Sequence, residues 1–319
     1  MLLAPLVSVL MPAWNVAPFI GAAMASVLRQ TLPNLELLVV DDGSTDATAG
    51  IVQAQADFRV RLLRQANAGV SAARNLALAE ARGQALLFLD ADDMLAPDAL
   101  ARLAKALWRH PGAAAAAGPY AYVAEAAALA DRPPPPRRPR FAAGDMLERL
   151  LVENLFANGG HLLLRRDAVL AAGGFRPGLH YGEDWEYWVR ICLQGPLAVA
   201  EGEAPVLLVR QRRGSAYHRM ATDPRAFCPA MAAIFGNPAL PVRLGVARLA
   251  ALRLRAAAEN EWIIGRELLR HGQRQAGLAR LRASLRAAPS PKRAALLAAA
   301  HATPLLPARL HGPFGRYAG

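Results

Sequence analysis

Cysteine is scarce in this chain, which carries only Cys192 and Cys228. The two lie far apart and match no zinc spacing, so a disulfide framework and a structural metal are not expected, and a reducing compartment is. Long apolar runs are missing too. No stretch of about 18 uncharged apolar residues occurs, so no spanning helix is predicted. The late candidate, Ala294 to Ala300, is too short. Met1 to Leu10 is apolar but has no basic leader or cleavage pattern, and is expected to be a first strand rather than a signal peptide. There is no G-x-G-x-x-G dinucleotide fingerprint and no G-x-x-x-x-G-K-[ST] phosphate loop. Lysine is rare and aromatics make up 6% of the chain.

What is present is a chain of 319 residues, 54% hydrophobic, enough for one large domain or a domain with an appendage. The net charge is +12, and most of it lies late: between Arg243 and Arg309, thirteen basic residues face only Glu259, Glu261 and Glu267. A basic tail points to an anionic partner. Nucleic acid has only charge in its favour, with no recognisable motif, and is not expected.

The most informative stretch is Leu86-Leu87-Phe88-Leu89-Asp90-Ala91-Asp92-Asp93. An apolar run of this kind fits a strand buried on both faces of a parallel sheet. The carboxylates then fall just past its end, where open α/β sheets place ligands. Acids this close repel, and a hard cation between them would relieve the repulsion. Mg²⁺ commonly takes one or two carboxylates plus substrate phosphates. The alternative is an acidic loop that caps the next helix at Pro97.

Strand and helix alternate before it. Strands are expected at Leu6–Met11, Leu35–Val40 and Val60–Leu63, and helices at Ala17–Gln30, from Ser44 or Thr45 to Ala56, and at Val70–Ala81. Asn15 is the expected cap of the first helix and Ser44 or Thr45 of the second. This pattern predicts an α/β fold with a doubly wound, mostly parallel sheet. Its ligand-facing rim would carry Pro12 to Asn15, Asp41, Asp42, Asn67 and Asp90 to Asp93. Later, Ala113–Val123 is expected to be one strand, Asp131–Arg140 an irregular Pro/Arg-rich connection, and His161–Arg165 a strand. A tight turn is expected at Gly173-Gly174-Phe175, a helix from Glu183 to Leu193, and a strand at Val206–Arg210. From about Pro224 onward the pattern is helical. Domain boundaries are expected at 1–219 and 220–319.

Six segments in order carry a resemblance. They are Val7 to Asn15, Val40 to Asp46, Asn67 to Asn75, Leu89 to Asp93, Gly173 to Phe175 and Glu183 to Trp185. Together they resemble the family 2 glycosyltransferases, over about residues 5 to 217. The resemblance implies a GT-A fold (Rossmann-like), a nucleotide-sugar donor, a divalent metal and an inverting mechanism. It puts Pro12, Ala13 and Trp14 against the base, with Asp41 and Asp42 reading it. It puts Asn67 and Arg74 along the donor pocket, Arg74 toward the diphosphate, though Asn67 and Asn75 suit structural roles better. Asp90 would lie near the ribose, with Ala91 beside it, and Asp92 would hold Mg²⁺ or Mn²⁺. Asp184 would be the base, with Glu183 and Trp185 orienting it or contacting the acceptor. Many relatives have Arg-x-His and then Ser-x-Ser after the late strand; here Arg212 replaces the histidine and Tyr217 the second serine. A guanidinium cannot ligate a metal, so Arg212 or Arg213 is expected to bind diphosphate, or His218 to substitute from a shifted register.

The expected activity is transfer of a sugar, from a UDP-sugar first of all, to a hydroxyl of a glycan or lipid-linked acceptor in cell-surface polysaccharide synthesis. The alternative is a non-catalytic module that binds nucleotide or polyanion. The expected location is cytoplasmic, with the basic tail giving peripheral contact to an anionic membrane. There Leu249, Leu252 and Leu254 beside Arg248, Arg253 and Arg255 would form a surface helix. Packing of that helix on its own domain is the competing expectation.

Overall fold

A computed structural model describes residues 4–127, 135, 142–211 and 228–302. Arg212, Arg213, Tyr217 and His218, and nearly all of the Pro/Arg-rich connection, lie outside the described residues. The chain forms two compact units, Met1–Leu150 with Asn154–Arg212, and Leu151–Glu153 with Arg213–Gly319.

The first unit opens with β1 (Val7–Ala13), α1 (Ala17–Leu28), β2 (Leu35–Asp42), α2 (Thr48–Gln53), β3 (Val60–Gln65), α3 (Val70–Glu80) and β4 (Ala85–Phe88). This is the alternation the sequence predicts. The chain continues through β5 (Met94–Leu95), α4 (Ala99–Arg109), β6 (Ala115–Ala117), β7 (Tyr120–Val123) and α5 (Leu147–Val152). It then forms β8 (Leu162–Arg165), α6 (Arg166–Ala172), α7 (Glu183–Cys192), β9 (Leu197–Val199) and β10 (Leu207–Arg210). Among the described residues the main sheet has seven strands in the order β3-β2-β1-β4-β8-β6-β9. Only β8 runs against its neighbours. Every residue of β2 and β4 is buried, as expected of strands covered on both faces. The core joins Val7, Val9 and Met11 of β1 to Ile20, Met24 and Val27 of α1 and to Leu100, Leu103 and Leu107 of α4.

The expected single strand over Ala113–Val123 is in fact two. Gly118-Pro119 interrupts it, and Pro119 has no N–H to give a ladder. β6 stays in the main sheet, while β7 pairs with β10 in a second, three-stranded sheet ordered β5-β10-β7.

The second unit contains α8 (Cys228–Phe235), α9 (Ala239–Leu244), α10 (Val246–Arg270), α11 (Arg274–Ala287) and α12 (Pro291–Ala302). Trp262, Leu278, Leu281, Leu296 and Ala300 form its core. Helices α10 and α11 approach closely at two glycines: a Cβ on Gly277 would lie 2.8 Å from the Gly265 carbonyl oxygen. Glu259 pairs with Arg293 and Glu261 with Arg280, at 2.7 and 2.6 Å, and Glu267 pairs with Arg270. No helix among the described residues is long and apolar enough to cross a membrane.

Candidate active site

Strand β1 lies between β2 and β4, and the strand order reverses there. Open α/β sheets bind ligands outside the carboxyl ends of their strands at such a switch point. Trp14 follows β1 directly and is 52% exposed, so it is not a core residue. Ala13 is buried and Pro12 half-buried. The turn after β2 is locked to this segment. Asn15 Oδ1 accepts from Thr45 N at 2.8 Å, and Ser44 Oγ accepts from Asn15 N at 3.0 Å. The first free amides of α1, those of Val16 and Ala17, donate to Thr48 Oγ1 and Asp46 Oδ2. The expected caps are therefore corrected. Asn15, in a left-handed conformation (φ 49°), holds the neighbouring turn, and that turn in exchange caps α1.

Asp41 and Asp42 end β2 and are both buried. Asp42 Oδ1 accepts from Gln65 Nε2 (2.7 Å) and Ala68 N (2.9 Å), and its Oδ2 accepts from Gly69 N (2.9 Å). It thus fixes the entry to α3, not the helix that follows it in sequence. Asp41 accepts from Ser44 N and pairs with Arg64. Asn67 is exposed.

Arg74, on α3, is the clasp of the site. Only 6% exposed, it donates through Nη2 to Asp90 Oδ1 and through Nη1 to Glu183 Oε1, both at 3.0 Å. The acid past β4 and the acid opening α7 are brought together on one guanidinium, the bidentate use that arginine's planar fork allows. Its ring of support is Phe175, whose centroid lies 5.2 Å from the guanidinium carbon. Phe175 in turn stacks on Tyr187 at 4.0 Å and meets Phe88 edge-on at 5.0 Å. Asn75 fixes Phe175: its Oδ1 accepts from Phe175 N at 2.7 Å and its Nδ2 donates to Phe175 O at 2.9 Å. A Cβ on Gly174 would come within 2.7 Å of Asn75 Oδ1, so this close approach requires glycine.

Glu183 and Asp184 open α7, and Asp184 Oδ1 accepts from Trp185 N at 2.6 Å. Burial pushes the Asp184 carboxyl up to about 7; the charge of Glu183 adds to the rise, and Arg74 opposes it. A carboxyl in that range can take and release a proton near neutrality. Trp185 points inward, 5% exposed, with its indole N–H on the Leu150 carbonyl at 2.6 Å. It anchors α7 and offers no open face to an acceptor.

Past β4, Asp90 and Asp92 are partly exposed while Asp93 is buried. Asp93 accepts from Arg210 N (2.8 Å) and Asn158 Nδ2 (2.6 Å), and burial together with the Asp92 and Asp90 charges holds its carboxyl well above the usual range. Arg210 also donates through Nε to the Asp92 carbonyl at 2.9 Å. Sequence reasoning missed Asn158 and Arg210 as the supports of the acidic turn. The polar Asn158-Gly159-Gly160 run was the available signal for the first; nothing local marked the second. Among the described residues no three His, Cys, Asp or Glu side chains cluster to hold a metal ion by themselves. Two partly exposed carboxylates nevertheless fit a hard cation that shares its shell with phosphate oxygens.

A mostly parallel sheet with an acidic rim at its switch point, facing a helix that starts with two further acids, defines a GT-A type glycosyltransferase. Residues 8–171 match the model of glycosyl transferase family 2, and the chain belongs to that family. It is 47% identical over 90 residues to the UDP-Glc:alpha-D-GlcNAc-diphosphoundecaprenol beta-1,3-glucosyltransferase WfgD of Escherichia coli, covering 28% of this chain and 36% of that one. The first curated relatives are matched over 40% of their length or less. In fold the chain is similar to S. aureus TarS 1-349 in complex with UDP-GlcNAc (TM-score 0.61, 21% identity, 93% of this chain and 87% of that one). It is also similar to the Pyrobaculum calidifontis mannosyltransferase PcManGT in complex with GDP-Man and Mn2+ (TM-score 0.57, 24% identity, 94% and 81%).

Proposed function

We propose that this glycosyltransferase transfers one sugar, with inversion, from a UDP-sugar to a hydroxyl of a glycan or lipid-linked acceptor in cell-surface polysaccharide synthesis. The observation that carries this is the Arg74 clasp, which joins the acids past β4 to those opening α7. In this scheme exposed Trp14 takes the base, and Asp41 and Asp42 hold the loops around it. Asp92 would hold Mg²⁺ or Mn²⁺ together with the diphosphate, with Asp90 near the ribose. Such a cation stabilises charge on a leaving diphosphate. WfgD, named for a UDP-Glc donor and a diphosphoundecaprenol-linked acceptor, supports the donor and acceptor classes. The cation is supported by the Mn2+ in the PcManGT complex.

Asp184 removes the acceptor hydroxyl's proton as that oxygen bonds to the anomeric carbon. The bond from carbon to the diphosphate oxygen breaks, and its electron pair leaves with the nucleotide. Attack opposite the leaving group inverts the centre. Arg74 is a positioning residue, setting Asp90 and Glu183 and, through Glu183, Asp184. Because the base must be ionised, transfer rises with pH through about 7. The test is Asp184→Asn. Transfer should fall by roughly 10²–10⁴-fold, while UDP still raises the melting temperature as in the wild type. Full turnover in this variant would overturn the assignment. A cytoplasmic location at the inner membrane face follows from an acceptor of this class.

A further inference from the structure

The long helix α10 carries an apolar stripe that faces solvent. Val246, Ala247, Ala250, Ala251, Leu254 and Ala257 are all exposed, Val246 at 75% and Leu254 at 67%. Their spacing places them on one side of a helix with 3.6 residues per turn. Leu252, by contrast, is buried and Leu249 half-buried. Of the three leucines expected to lie outward, Leu254 does, and the rest of the open stripe is made by other residues. On a helical wheel Arg253 borders this stripe on one side and Arg248 and Arg255 on the other, all three exposed. Helix α9 adds exposed Val242 and Arg243. From Cys228 to Ala258 the sequence has no Asp or Glu. The acids further along α10 are each paired with an arginine of the same unit.

We infer that the amino-terminal half of α10, with α9, docks on an anionic lipid surface. Val246 and Leu254 enter the headgroup boundary, and the flanking arginines lay their stems along it and reach lipid phosphates. An apolar stripe bordered by basic residues and lying parallel to the surface is the pattern of an interfacial helix. A second copy of this chain fits less well, because stripe-to-stripe contact would set Arg248, Arg253 and Arg255 against their own counterparts. The inference does not use the donor site and can fail independently of the proposed reaction.

The test is cosedimentation of the full chain with phosphatidylcholine vesicles, with and without about a third phosphatidylglycerol. Binding is expected only to the anionic vesicles and is expected to weaken as salt rises. Removing one arginine should lower partitioning about fivefold, and Arg253→Gln with Arg255→Gln about 25-fold, the factors that correspond to about 1 kcal/mol per basic residue. Val246→Ser with Leu254→Ser should weaken binding without changing the melting temperature, since both side chains are already in solvent. UDP-sugar turnover in solution should be unchanged in all of these variants. Three results would each overturn the inference: no preference for anionic vesicles, binding indifferent to these substitutions, or a solution dimer that the two serines dissociate.

Discussion

The pH dependence of folding should expose Asp184. Its carboxyl is raised from 3.8 to about 7, first by burial and then by the Glu183 charge. At about 1.4 kcal/mol per pKa unit, holding it ionised in the fold costs about 4 kcal/mol. The sign follows from proton counting. Below 3.8 both states bind the proton and nothing is lost. Between 3.8 and about 7 the native state keeps a proton that the unfolded chain has released, so stability falls as pH rises; above about 7 the full penalty is present. Asp184→Asn removes this titration while keeping size and a hydrogen-bonding oxygen. The variant should therefore be more stable than the wild type, with the gap widening by about 3 kcal/mol between pH 4.5 and pH 8. For a domain of this size that is about 6–12 °C in melting temperature. Thermal melts of both proteins at each pH measure it, and titrations common to both, such as that of Asp93, cancel in the difference. A gap that is constant with pH, or that narrows toward pH 8, would refute a raised carboxyl at this position. Greater stability with lost transfer is the trade expected of an active-site acid.

Arg74→Ala leaves two carboxylates without their buried partner and should cost about 3–5 kcal/mol, read by denaturant unfolding; Arg74→Lys, unable to fork, should recover part of the stability and little of the transfer. Gly174→Ala drives a methyl against Asn75 and should destabilise by about 1–3 kcal/mol, lowering kcat more than the affinity for UDP. His161 is buried, with Nδ1 on the Gly118 carbonyl and Nε2 accepting from Ala157 N, and burial lowers it to about 4. Its contribution is present above 6.5 and lost as pH falls from there through about 4, so wild-type stability should decline over that window, and His161→Phe should flatten that part of the curve. Chelation should abolish transfer, and undiminished turnover in EDTA would remove the cation from the scheme.

The sheet was legible because β2 and β4 are buried on both faces, which leaves apolar runs that end in acids. The split at Gly118-Pro119 was not, because an alanine-rich run reads alike in one sheet or two. At the site, the order of the motifs gave the residues but not their bonds. Asp42 was expected beside the base, and its bonds to amides 26 and 27 positions on follow from no local pattern. Arg74 meets Glu183 across 109 positions, a pairing no local pattern contains. The aromatics, few in the composition, proved informative by location: Phe88, Phe175 and Tyr187 gather under the Arg74 clasp.

The most direct measurement is nucleotide release by the purified chain from a panel of UDP-, GDP- and dTDP-sugars, with Mn²⁺ or Mg²⁺, with water as the slow acceptor. The account predicts UDP release that requires the cation, rises through about pH 7 and disappears in Asp184→Asn. Release from none of the sugars, or release from UDP-sugars that ignores both the cation and Asp184, would contradict it.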